Sequence, residues 1–79
     1  MAEVTVRYWA GARAAAGFDE EQLSAASVHE LVAGLSRRST ELAGVLALSS
    51  LLIDGQVVRT DAPLSDGQTL EVLPPFAGG

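Results

Sequence analysis

Cysteine is absent from this chain, so no disulfide or thiolate–metal staple holds it and no side chain offers a thiol nucleophile. Lysine is absent as well. All five basic residues are arginines (Arg7, Arg13, Arg37, Arg38 and Arg59) against ten Asp and Glu, for a formal net charge of −5. That balance leaves no basic stripe to follow a phosphate backbone, so nucleic acid is not expected as a partner and a protein surface is. Histidine occurs once, as His29. Without a second histidine or an acid at ligand spacing it points to a solvated or capping role, and neither a metal site nor Ser–His–Asp hydrolase chemistry is expected. No apolar run approaches the roughly 20 residues a membrane-spanning helix needs, and Met1-Ala2-Glu3-Val4 lacks the charged-then-apolar pattern of a signal peptide. No membrane association and a cytoplasmic location are therefore the default expectations. What the chain does have is apolar content, 48% of 79 residues, enough for one small domain built from a sheet and a helical layer around a single core.

Glu3 to Trp9 alternates Val4, Val6 and Tyr8 against Thr5, Arg7 and Trp9, the period of a half-buried strand whose valines and Tyr8 face inward. Ala10 to Ala16 reads as a short helical turn closed by Gly17, with Phe18 to Ala25 a second strand returning antiparallel to the first. Ser27-Val28-His29-Glu30 is a capping box, and Leu31, Val32 and Leu35 follow at helical spacing toward Arg37-Arg38, where positive charge suits the end of a helix. Thr40 to Leu48 is expected to be a further short helical segment or a packed loop. Asp54-Gly55 between two apolar runs signals a hairpin. Thr69 to Leu73 alternates again, with Leu70 and Val72 inward and Thr69, Glu71 and Leu73 outward. The acidic run Asp19-Glu20-Glu21 is expected to be a solvated face.

The end of the sequence, Pro74-Pro75-Phe76-Ala77-Gly78-Gly79, has a different character. Pro74 has no N–H to give a sheet ladder, so the last strand should stop at Leu73, dividing a domain over residues 1–73 from a tail over residues 74–79. Two glycines make that tail thin and conformationally free. Fully stretched at roughly 3.3 Å per residue, Pro75 to Gly79 would project on the order of 16 Å, far enough to reach a buried site in another protein. The Gly79 carboxyl is then the candidate reactive group, with Gly78, Ala77, Phe76 and Pro75 giving it access.

Taken together, the first strand running into Ala10-x-x-Arg13-x-x-x-Gly17, the Ile53-Asp54-Gly55 turn, Pro63-Leu64-Ser65-Asp66-Gly67 and the Leu73-Pro74-Pro75-Phe76-Ala77-Gly78-Gly79 ending resemble the MoaD family, the small subunits of molybdopterin synthase, and ThiS-like sulfur carriers. The chain departs from that family in having Ala14 after the arginine and Phe76 before Ala-Gly-Gly. The resemblance implies an α+β β-grasp, or ubiquitin-like, fold: a mixed sheet of four to five strands, one main helix across it and a flexible Gly-Gly tail. It also implies a chemistry. An E1-like, MoeB-like adenylyltransferase would use ATP to adenylate Gly79, and a sulfur donor such as a sulfurtransferase or desulfurase would convert it to a thiocarboxylate. The sulfur would then go to a pyranopterin precursor in molybdenum cofactor biosynthesis. No cofactor would be bound, and the catalytic side chains would lie on a MoaE-like large subunit.

In a β-grasp the first and last strands lie side by side, which would put Trp9 and Leu73 in one exposed apolar patch at the base of the tail. Val57 would extend the patch, or Val58 if the hairpin register moves by one residue. The resemblance marks this patch, with Arg13, as partner-binding. Three other readings use the same residues: a carrier for cysteine, thiamin or thio-nucleoside synthesis, a ubiquitin-like modifier joined through Gly79 to target lysines, and a passive interaction domain.

Overall fold

The computed structural model describes residues 1–75. In chain order the elements are β1 (Ala2–Tyr8), α1 (Gly11–Ala16), β2 (Glu20–Ala25), α2 (Val28–Ser36), α3 (Thr40–Leu48), β3 (Ser50–Ile53), β4 (Gln56–Val58) and β5 (Thr69–Leu73). The strands form one mixed sheet in the order β2-β1-β5-β3-β4. Central β1 pairs antiparallel with β2, Val4 opposite Leu23, and parallel with β5, Val6 beside Leu70. The expected adjacency of first and last strands is therefore present, and the architecture is the α+β β-grasp.

Alternation in β1 puts Val4, Val6 and Tyr8 on the covered face, 1%, 0% and 3% exposed, where they meet Leu70 and Val72 of β5. The helices close over them with Leu31 and Leu35 from α2 and Leu42 and Leu46 from α3. Burying side chains of this kind contributes roughly 1.5–3 kcal/mol each, and in a domain with no covalent staple this is the main source of stability. Ala12 is buried with them, and its small side chain lets the short α1 lie close against α3 and β1.

Thr40–Leu48 takes the helical of the two forms expected for it, a nine-residue helix as long as α2, so α3 joins the main helix α2 and the short α1 in covering the sheet. Ser39 caps it, accepting from the Leu42 N–H at 3.0 Å, and Leu42 and Leu46, four apart, supply its buried stripe. The capping box of α2 forms only by half among the described residues. Ser27 Oγ accepts from the Glu30 N–H at 3.2 Å, while the first residue of the helix is tied to the loop before β5 through Val28 N–H to Ala62 O at 2.9 Å.

The β3–β4 hairpin turns through Asp54 and Gly55, both left-handed at φ 49 and φ 85, as a tight two-residue connection requires. Asp54 is pinned to the start of β5 by Thr69 N–H to its Oδ1 at 3.1 Å and by its own N–H to Thr69 O at 3.0 Å. A second tight turn joins Trp9 to α1, closed by Ala12 N–H to Trp9 O at 3.0 Å, and here the residue at φ 47, ψ −124 is Ala10. Those angles suit glycine, and a side chain there costs on the order of 1–3 kcal/mol. Ala10→Gly is accordingly expected to stabilise the domain by about 1 kcal/mol, raising Tm by roughly 4–8 °C. A thermal melt checks this, and a lowered Tm would show that the Ala10 methyl contributes packing that outweighs the strain.

Candidate docking face at the base of the tail

The sheet face away from the helices carries the side chains that alternate with the core. Reading across the strands, the register sets Glu20 beside Arg7, Arg7 beside Glu71, Glu71 beside Leu52 and Leu52 beside Val57. Trp9 lies one residue beyond β1 but keeps its course, with its N–H bonded to Val72 O at 3.1 Å. It meets Leu73 as expected. Trp9, Leu52, Glu71 and Leu73 line a shallow hollow of about 240 Å³. Val57, 53% exposed, extends this surface beside Leu52, while Val58 packs against the core, which settles the register of the hairpin.

Trp9 is held more firmly than a freely exposed patch residue would be. It is half-buried, its indole Nε1–H donates to Glu71 Oε2 at 2.9 Å, and the Arg7 guanidinium lies 4.9 Å from the ring centroid. Arg7 in turn pairs with Glu20 at 3.5 Å. Arg13 does not join the apolar hollow. It lies in a neighbouring one of about 150 Å³ that it shares with Arg7, Trp9, Asp19 and Glu20, and it pairs with Asp19 at 3.6 Å with both side chains well exposed. Leu52 and Glu71 complete the apolar hollow, yet neither was singled out as partner-binding from the sequence.

The acidic run is solvated as expected at Asp19 and Glu20, which stay exposed, while Glu21 is half-buried and tied into the fold. Asp19 pairs with Arg13, Glu20 with Arg7, and Glu21 with both terminal guanidinium nitrogens of Arg38 at 2.7 and 2.9 Å. Glu21 also accepts from Tyr8 Oη at 2.6 Å, joining β1, β2 and the segment after α2. Burial pushes the Tyr8 hydroxyl well above its ordinary range, helped by the Glu21 carboxylate. For Glu21 burial works upward too, but the hydrogen bonds from Arg38 and Tyr8 outweigh it and hold the carboxyl below 4.5. A carboxyl lowered by folding adds stability above its unfolded value that is lost as pH falls through the folded one. Glu21→Gln is therefore expected to cost about 1 kcal/mol at neutral pH and to flatten the acid limb of the stability curve below about pH 4.5. Equal acid limbs for variant and parent in denaturant titrations would remove Glu21 from that linkage.

His29 is exposed, and its backbone N–H donates to Asp61 Oδ1 at 2.9 Å, a bond that holds the Asp61 carboxyl below its ordinary range. Among the described residues no three His, Cys, Asp or Glu gather as metal ligands, and no helix is long and apolar enough to cross a membrane. β5 ends at Leu73, so the chain leaves the sheet at Pro74 beside the hollow, and Pro75 is exposed. Phe76, Ala77, Gly78 and Gly79 lie outside the described residues.

Known proteins with this arrangement narrow its meaning. The chain is similar to subunit 1 of a putative molybdopterin converting factor from Pyrococcus furiosus, with 28% identity over 96% of this chain and 100% of that one at a TM-score of 0.85. It is equally similar to small archaeal modifier protein 1 from Methanosarcina acetivorans, with 29% identity over 100% and 98% of the two chains at a TM-score of 0.85. A chain in the complex of subunits 1 and 2 of molybdopterin-converting factor from Helicobacter pylori shares the fold at a TM-score of 0.76, with 24% identity over 98% and 99%. Curated proteins give no sequence match. The family model that does match spans residues 6–79, from the middle of β1 through the Gly-Gly end, and by it the chain belongs to the ThiS family.

Proposed function

We propose that this chain is a sulfur carrier whose working group is the Gly79 carboxyl, and that it serves as the small subunit of a molybdopterin synthase. The observation that carries the reading is the family match running to residue 79, on a fold that delivers the chain from β5 directly beside an apolar, anchored docking face. The pathway is suggested by the similarity to the Pyrococcus subunit.

A carboxylate is a poor acyl donor because it is an anion without a good leaving group. Its oxygen attacks the α-phosphorus of ATP on an adenylyltransferase, pyrophosphate leaves, and an acyl-adenylate results. A sulfide-level nucleophile from the sulfur donor then attacks the acyl carbon, AMP departs, and Gly79 becomes a thiocarboxylate. On a MoaE-like large subunit the thiocarboxylate sulfur attacks a carbon of the pyranopterin precursor and displaces an oxygen from it. Water cleaves the acyl–sulfur bond, which leaves the sulfur on the precursor and returns Gly79 as carboxylate. A dithiolene takes two such transfers, one from each of two carrier chains. This chain contributes the tail and the docking face, with Trp9, Leu73, Leu52 and Val57 as anchors.

Reconstitution tests the acceptor. Thiocarboxylated chain mixed with the large subunit and precursor is expected to give one dithiolene for every two chains returned to the carboxylate. No dithiolene, with a large subunit active on another carrier, would remove this acceptor and leave the carrier chemistry standing. A modifier role is the second reading, favoured by the equal similarity to the archaeal modifier protein. There a lysine ε-amine of a target attacks the activated acyl carbon, and Gly79-linked isopeptide adducts in cell extract are its signature.

A further inference from the structure

Glu71 is an odd residue to find in the middle of an apolar docking face. Its neighbours in the hollow are Trp9, Leu52 and Leu73, and it is half-buried before any partner arrives. One carboxylate oxygen, Oε2, is occupied by the Trp9 indole N–H at 2.9 Å. No cation balances it: among the described residues no Arg or His nitrogen lies within 4.0 Å of its carboxylate. Arg7, its register neighbour on β1, is engaged elsewhere, 3.5 Å from Glu20 and over the Trp9 ring. The other acids of this region, Asp19 and Glu20, each have their own arginine.

Docking an apolar surface over Trp9, Leu52 and Leu73 would strip water from Glu71, and a carboxylate desolvated with one indole N–H as its partner is strongly unfavourable. A partner that brings its own cation to that point avoids the penalty and gains a charge-assisted bond within a water-excluding apolar ring. Because Trp9 fixes one oxygen, the remaining one is presented at a set position. The same feature rejects a purely apolar or acidic face.

We infer that Glu71 is the specificity-determining anchor of this face, and that the surface docking there is a protein surface carrying an arginine or lysine at the centre of an apolar patch. This rests on the reading that the outer sheet face docks the carrier's partners. The site differs from the tail itself, since Glu71 reacts with nothing and acts by selecting what may bind.

The test uses the full chain, the molybdopterin synthase large subunit from the same genome as probe, and Trp9, the single tryptophan, as internal reporter. Glu71→Gln keeps a carbonyl oxygen for the indole N–H and removes only the charge. Free-chain emission should be unchanged, affinity should fall by about tenfold or more at low salt, and the salt dependence seen with the parent chain should flatten. Leu73→Asp, which places a charge in the apolar hollow, should abolish binding altogether. If Leu73→Asp abolishes binding while Glu71→Gln binds as tightly as the parent with the same salt dependence, the face stands and the role of Glu71 is overturned. Unchanged binding by Leu73→Asp overturns the face and the inference together. A parent chain that does not bind the probe, or whose Leu73 mediates self-association instead, overturns the inference by assigning the face elsewhere.

Discussion

A chain lacking Gly79 is expected to melt at the temperature of the full chain and to take up no sulfur at all. The first half follows from where the stability resides. The core is built from β1, β5 and the three helices, and its last buried member among the described residues is Val72, with β5 ending at Leu73. Glycine has no side chain, so removing Gly79 deletes no side-chain area from that core. The second half follows from chemistry. Without Gly79 the terminal carboxyl belongs to Gly78, drawn back by about 3.3–3.6 Å along an extended chain, and a displacement of even about 1 Å at a reacting centre can cost two orders of magnitude in rate. Loss of sulfur uptake with an unchanged Tm is the expected pair of results. A clear fall in Tm would show that the tail packs against the domain, and normal uptake would show that the activating enzyme does not measure tail length.

Trp9→Ala should separate binding from folding. Its indole fills one side of the hollow with Leu52 and Leu73, so truncation removes the largest side chain of the docking face and leaves Glu71 without its indole partner. Aromatic residues at the centre of such faces cost about 2–4 kcal/mol in binding when truncated, roughly 30- to 1,000-fold in Kd. The cost to the fold should be smaller, about 1–2 kcal/mol, because Trp9 is only half-buried and lies on the face opposite the core. Titration against the large subunit and denaturant unfolding of the same variant give the two numbers. A stability loss larger than the binding loss would make Trp9 a structural residue that caps the sheet.

Much of this was legible in the residues. Strict alternation in Val4-Thr5-Val6-Arg7-Tyr8 and in Leu70-Glu71-Val72-Leu73 set the inner and outer faces, and the Asp54-Gly55 signal set the hairpin. Where pattern contrast was missing, the reading ran short. Leu51-Leu52-Ile53 is apolar throughout, so nothing in it says that Leu52 alone turns outward; only pairing with Glu71 and Val57 reveals that. The helix Thr40–Leu48 has a glycine at 44 and apolar residues spread around its circumference, which blurs its stripe, although Ser39 three residues before Leu42 was a usable cap signal. The partners of Asp19, Glu20 and Glu21 lie on α1, on β1 and after α2, so their pairing depends on register and tertiary packing, which no local pattern contains. Glu71 was placed on the outer face from alternation, but its meaning depends on a bond to Trp9 across 62 positions of sequence.

The Gly79 carboxyl is the working group of the proposed carrier. The most direct test is the intact mass of the purified full chain after incubation with ATP, an adenylyltransferase of the matching kind and a sulfur donor. One oxygen is expected to be replaced by sulfur, mapped to Gly79 and dependent on ATP. An unchanged mass, with the same enzyme shown to load another carrier, would contradict it.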